Sequence, residues 1–199
     1  MVFPNSKIRL YSGVLFDPFE PDASLINIGD IAHALSHTPR FAGHTDIFYS
    51  VGQHSLWCYE RCYKKIKGMY EKSEESEILL QCLMHDASEA YLLDMPSPIK
   101  NHPQMKFYKE KEKELGEIIC DVFRVKYPFN SIVKEVDNEA YEFEKNFYLN
   151  QGGPTSYQQE ANITPEKTKR LFLLTFNSLT NWEFDHNLNF LKNKHNRTI

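Results

Sequence analysis

The stretch from Ser73 to Ala90, SEESEILLQCLMHDASEA, decides how the rest of the chain is read. Ile78, Cys82, His85 or Asp86, and Glu89 recur at the spacing of one helical face. Ser73 is the expected cap of a helix from Glu74 to about Ala90, with Glu74, Glu75 and Glu77 near its positive end. The stripe begins apolar and ends ionisable. His85 and Glu89 are i,i+4 neighbours and Asp86 and Glu89 are i,i+3, so three chemically active groups project from the last turn. Taken alone, such a His-Asp pair is more simply a solvated helix end.

Working outward, a helix is expected from near Ser50 to about Lys67, with Val51, His54, Cys58 and Cys62 on one stripe. His54 then faces the core. Asn130 is placed to cap a helix through Asn150, where Val133, Asp137, Ala140, Glu144 and Phe147 form a similar stripe. A shorter helix over 28–37 follows the cap Asn27, and Thr38-Pro39 ends it. Another is expected from near Pro103 to about Val125; its KEKEKE run reads as a solvated face. YLLDMPSPIKN (91–101) reads as irregular, because Pro96 and Pro98 forbid a continuous helix. QGGPTSYQQ (151–159) reads as a loop, and Thr164-Pro165-Glu166 opens a last long helix. Residues 7–16, around Ser12-Gly13, read as a short hairpin or extended arm. The expected fold class is all-α, a helical bundle with a short N-terminal β-hairpin or extended arm. It forms one domain over 1–199: an arm (1–25), a core (26–150), and a C-terminal helix and tail (151–199).

Composition narrows the partners. The chain has 199 residues, 41% of them hydrophobic, including 14 Phe and 11 Tyr, which supplies a real core. A net charge of −4 gives no general attraction to duplex nucleic acid or an anionic membrane. A small anionic substrate would need a local cationic pocket. Cys58, Cys62, Cys82 and Cys120 read as reduced core thiols, usual inside cells, and a cytoplasmic location is expected. The N-terminus lacks the apolar stretch of a signal peptide, and no run approaches the ~18 residues of a membrane helix.

His54, His85, Asp86 and Asp137 together place four ionisable groups in apolar helical patterns. Each alone has an ordinary explanation, a hydrogen-bonded core histidine or an ion-paired aspartate. Together they call for a partner, because buried charge is expensive unless paired. Two neutral imidazoles and two carboxylates neutralise a dication and leave positions for water or phosphate oxygen. Mixed N/O ligation suits Mn²⁺, Fe²⁺, Co²⁺, Ni²⁺ or Zn²⁺ better than Ca²⁺; whether a second divalent ion binds is left open. Glu89, one turn beyond His85, can reach a reacting centre without being a ligand, the position wanted for a general acid or base.

At these residues the chain resembles the HD-domain metal-dependent phosphohydrolases. It is most similar to the 5′-deoxynucleotidase branch and to phage relatives that hydrolyse deoxynucleoside triphosphates. The resemblance covers roughly residues 25–150 and is most specific in HDASEAYLLDMPSPIK (85–100). INIGDIAHALSHTPRFAGHTDIFYSVGQHS (26–55) is also family-like. It implies an HD helical bundle, with His54, His85, Asp86 and Asp137 as metal ligands and Glu89 as catalytic acid/base. It places Asp94 near the deoxyribose 3′-hydroxyl, Arg40 on substrate phosphate, and Phe41 beside the sugar and base. Lys100 is a further candidate phosphate contact. A homo-oligomer, dimer or larger, is implied as well.

The implied reaction is hydrolysis at the α-phosphorus of a deoxynucleoside 5′-monophosphate, with Glu89 protonating the departing 5′-oxygen. Phe41 stands where the monophosphatase has tryptophan, and Asp137 follows Asp86 by only 51 positions, closer to the phage triphosphohydrolases. Both points keep release of triphosphate from a deoxynucleoside triphosphate open. Cyclic-dinucleotide phosphodiesterases carry a GYP motif that is missing here, and alarmone hydrolases favour HDxxED where this chain has Ala90. A nucleotide-binding regulator without catalysis is the alternative of another class; the retained ligands and Glu89 argue against it.

Overall fold

Three polar residues that precede apolar-periodic segments start three of the main helices. A computed structural model describes residues 6–149 and 163–180. In it the Asn27 side chain accepts the Asp30 amide and opens helix α1 (Ile28–His37). Ser50 and Gln53 form a reciprocal capping box at the start of α2 (Val51–Ile66). The Asn130 side chain accepts the Ile132 amide and opens α7 (Ser131–Tyr148).

The remaining elements are α3 (Lys72–Met84), two short helices α4 (Glu89–Leu92) and α5 (Ser97–Lys100), α6 (Lys106–Phe123) and α8 (Pro165–Thr180). A two-stranded antiparallel hairpin, β1 (Ile8–Arg9) and β2 (Leu15–Phe16), pairs Ile8 with Phe16 and precedes them. The molecule is mostly helical, as expected. Among the described residues no helix is long and apolar enough to cross a membrane.

Two apolar clusters hold these elements. Phe16, Ile31, Leu35, Leu83, Leu115, Phe172 and Phe176 join the hairpin, α1, α3, α6 and α8. Cys58, Cys62, Ile66, Ile78, Cys82, Val133, Val136 and Ala140 join α2, α3 and α7. All four cysteines are buried free thiols. Gly52 permits the close approach of α2 to α1: a Cβ there would lie 3.2 Å from the Leu35 carbonyl carbon and 3.2 Å from the Ser36 Cα.

Four local expectations need correction. The 74–90 segment is not one helix capped by Ser73. Glu71 holds the cap position, without a side-chain bond, and α3 stops at Met84. The His85 ring bonds the Cys82 carbonyl at 2.9 Å, an acceptor that a continuing helix would offer to the Asp86 amide. The chain then tightens into i→i+3 bonds, Ala87 to Met84 and Glu89 to Asp86. The Pro-x-Pro segment is not irregular throughout, because Pro98 lies in the first turn of α5, where its missing N–H costs nothing. On α7, Val136 and Tyr148 are buried beside the expected Val133, Ala140 and Glu144, whereas Phe147 is only half-buried. Within the KEKEKE run Glu112 turns inward to Lys100, at 2.8 Å. The expected loop at 151–159 lies outside the described residues.

Candidate metal centre

Three helical segments deliver the four expected ligands to one place. His54 comes from the first turns of α2 and is fully buried. His85 and Asp86 come from the turn that ends α3, and Asp137 from the second turn of α7. His54 Nε2 lies 3.2 Å from His85 Nε2. It lies 3.4 Å from Asp86 Oδ2 and 3.4 Å from Asp137 Oδ1. His85 Nε2 lies 3.3 Å from Asp86 Oδ2 and 3.8 Å from Asp137 Oδ1.

The tautomers follow from the outer partners. His85 Nδ1 faces a carbonyl, which only accepts, so Nδ1 carries the proton. His54 Nδ1 faces the Glu144 carboxylate at 2.7 Å, and the same logic applies. Two Nε2 lone pairs and two carboxylate oxygens are left converging. Such an acceptor-only cluster is satisfied by a cation. Metal bonds of about 2.0–2.2 Å to nitrogen or oxygen would separate paired ligand atoms by about 3.0 Å at right angles and about 3.4 Å in a tetrahedron. Four of the five distances, 3.2, 3.3, 3.4 and 3.4 Å, are within that range.

His54, Cys58 and His85 also form a group whose ligand atoms lie within 4.8 Å of one another and could hold a metal ion. Cys58 Sγ is nearly equidistant from the two His54 ring nitrogens, 3.6 Å from Nε2 and 3.9 Å from Nδ1. It therefore lies off the axis of the Nε2 lone pair. Burial pushes its thiol pKa up, against the pull of His54. The two carboxylates are the better-directed pair of additional donors.

The charges around the cluster differ in kind. Burial opposes ionisation of Asp137, but without a metal the protonated forms of His54 and His85, bonded through Nε2, outweigh it and hold its carboxyl well below the usual range. Burial likewise opposes Asp86, and His85, His54 and Arg40 hold it down. Glu89 is the exception. Burial, then Asp86 and Asp94, push its carboxyl well up, against Lys100 and Arg40. Its Oε2 is buried without a hydrogen-bond partner among the described residues. Its Oε1 lies 3.7 Å from Lys100 Nζ. A buried carboxyl with a raised pKa and one oxygen lacking a hydrogen-bond partner among the described residues, beside a candidate cation site, has the properties wanted in a general acid.

The residues implied as substrate contacts surround this cluster. Arg40 is not a surface arginine but a buried one. Its Nε and Nη2 donate to Glu144 Oε2 at 3.2 and 2.9 Å. Its Nη1 is turned toward Asp86 and Asp94, 3.9 and 3.8 Å away. The adjoining Phe41 and Ala42 both have left-handed backbone, φ 54° and 52°. The Phe41 ring lies 5.4 Å from the Arg40 guanidinium and 6.1 Å from the Tyr141 ring. Asp94 follows Leu93, which also has positive φ, 70°. His33 and His37 stack on each other, and His33 on Tyr11, beside the hairpin.

Glu144 and Tyr49 were missed as site residues. Glu144 appeared only as a member of the α7 stripe. A glutamate on the core-facing stripe that carries Asp137 is the signal the sequence holds. Its partners are 90 to 104 positions away, beyond any local pattern.

No family model matches the chain. It is similar to the uncharacterized protein YfdR of Escherichia coli (strain K12), 34% identical over 134 residues, 66% of each chain. It is also similar to the uncharacterized protein RCAP_rcc00048 of Rhodobacter capsulatus, 38% identical over 94 residues, 46% of this chain and 45% of that one. The chain covers just under two thirds of the first relative's length and less than half of the second's.

Proposed function

We propose that the chain is a metal-dependent phosphohydrolase of the HD-domain type that acts on deoxynucleotides, converting a deoxynucleoside 5′-monophosphate to deoxynucleoside and phosphate. The observation that carries this reading is the acceptor-only cluster of His54, His85, Asp86 and Asp137 beside the buried Glu89 carboxyl, whose Oε2 has no hydrogen-bond partner among the described residues. When bound there, a divalent transition ion such as Co²⁺, Mn²⁺, Zn²⁺, Fe²⁺ or Ni²⁺ activates water at neutral pH and polarises a phosphoryl oxygen. Arg40 offers Nη1 to a phosphate oxygen while Glu144 holds its other nitrogens. Glu89 gives its proton to the departing 5′-oxygen. Asp94, 3.8 Å from Arg40, accepts from the sugar 3′-hydroxyl. Phe41 covers the sugar and base.

One observation favours a second reading, release of triphosphate from a deoxynucleoside triphosphate. A cavity of about 390 Å³ runs from His85, Asp86 and Glu89 to Lys100, Lys109 and Lys113. It brings Lys100, Lys109 and Lys113, with Glu112 among them, to the same centre, and these lysines are what a longer phosphate chain would engage.

The test is incubation of protein reconstituted with Mn²⁺, Co²⁺, Zn²⁺ or Mg²⁺ with ribo- and deoxynucleoside mono- and triphosphates, followed by identification of the released phosphate species. Orthophosphate from deoxynucleoside monophosphates is expected, and triphosphate release supports the second reading. No release from any substrate sinks both.

A further inference from the structure

Glu144 bonds two parts of the site at once, His54 and Arg40. Its side chain is fully buried. Oε1 accepts from His54 Nδ1 at 2.7 Å and from the Tyr49 hydroxyl at 2.8 Å. Oε2 accepts from Arg40 Nη2 at 2.9 Å and Nε at 3.2 Å. The carboxylate is thus anchored by His54 of α2, by Tyr49 two residues before α2, and by Arg40 in the turn after α1. Burial opposes its charge, and His54, Arg40 and Tyr49 more than offset that cost, so it stays ionised.

Two consequences follow from these bonds. A carboxylate on Nδ1 fixes the His54 tautomer and ring angle, and so aims Nε2 at His85, Asp86 and Asp137. The same carboxylate takes two nitrogens of the guanidinium fork and leaves Nη1 turned toward Asp86 and Asp94. A planar fork held on one side can face a ligand only with the other.

We propose that Glu144 is the positioning residue that sets the metal ligand His54 and the phosphate contact Arg40 together, so that metal affinity and substrate affinity depend on one carboxylate. This rests on the reading of His54 as a ligand and Arg40 as a phosphate contact. A merely structural role would lower stability and leave both affinities unchanged in folded protein.

The test compares Glu144→Gln with wild type and with Arg61→Gln, a change in an exposed α2–α7 ion pair away from the cluster. A glutamine has one acceptor oxygen and an NH₂ group, so it can serve His54 or Arg40 but not both. The expected result for Glu144→Gln is a Zn²⁺ dissociation constant about 10–100-fold weaker, with a raised KM for the best substrate of the panel. Arg61→Gln, which removes an exposed ion pair to Glu139 on α7 and touches none of the Glu144 bonds, should change neither affinity by more than about twofold. Unchanged Zn²⁺ affinity, or a change in only one of the two parameters, overturns the link. Should Glu144→Gln fail to fold, nitrogen-15 spectra of Zn²⁺-loaded wild type decide. A protected proton on His54 Nδ1 is expected, and metal on Nδ1 with the proton on Nε2 overturns the proposal. Absence of hydrolysis in wild type would sink the proposed function instead, while the Zn²⁺ affinity and the spectrum still report on Glu144 and His54.

Discussion

His54 and Asp137 stand within α2 and α7 and meet across a packed interior, whereas Arg40, Phe41 and Asp94 stand at or beside turns that ordinary side chains rarely adopt. Phe41, Ala42 and Leu93 all have positive φ. Each such residue costs about 1–3 kcal/mol and persists only because its surroundings enforce it. The Arg40 amide donates to the Tyr49 carbonyl and the Asp46 amide to the Tyr148 carbonyl, which pins the first turn to α7 and to the start of α2. A metal site needs ligand atoms fixed to a fraction of an ångström, and rigid helices supply that. Contacts to a substrate need reach, which a strained but tethered turn can supply. Substitutions in the two regions should therefore fail differently.

The largest effect is expected for Asp86→Ala, which removes one proposed ligand and leaves the other three. Bound metal and hydrolysis should both fall to background, read by metal analysis and phosphate release. Full metal retention would break the distinction between the regions.

Glu89→Gln comes next. Loss of a general acid should lower kcat by about 10²–10⁴-fold with metal content unchanged; an equal loss of metal would make Glu89 a ligand. The same variant tests the raised carboxyl. The unfolded chain loses this proton near pH 4.3 and the folded protein only well above it. The stability it contributes is complete below that pH and is lost as pH rises toward the folded value. Between pH 5 and 8, the stability of metal-free Glu89→Gln should fall less than that of wild type in urea titrations.

Asp94→Asn should leave metal binding intact and narrow the preference for deoxyribose over ribose, measured as the ratio of kcat/KM values. Gly52→Ala probes the scaffold instead. Its new Cβ meets the α1 backbone at 3.2 Å, which should cost about 1–3 kcal/mol of unfolding free energy. The smallest effect is a gain. Ala42→Gly removes the strain of φ 52° and should stabilise the fold by about 1 kcal/mol, in contrast to Gly52→Ala.

The same division marks what could be read from sequence. Asn27, Ser50 and Asn130 act within three residues of themselves, so they disclose helix starts directly. The stripe through His54, Cys58 and Cys62 follows from period alone, and all three are buried. The break at His85 was illegible, because it depends on a ring bonding its own preceding carbonyl. The left-handed Phe41 and Ala42 carry no glycine to announce them. Glu144 shared a face with Asp137 but could not be assigned a purpose until the fold brought His54, Tyr49 and Arg40 to it.

The ligand set can be tested most directly by the absorption spectrum of the Co²⁺-loaded protein. Two imidazoles and two carboxylates should give about one equivalent of bound Co²⁺ with weak visible bands and no intense near-ultraviolet charge transfer. An intense thiolate-to-cobalt band, lost in Cys58→Ala, would place the ion on His54, Cys58 and His85 and contradict the proposed roles of Asp86 and Asp137.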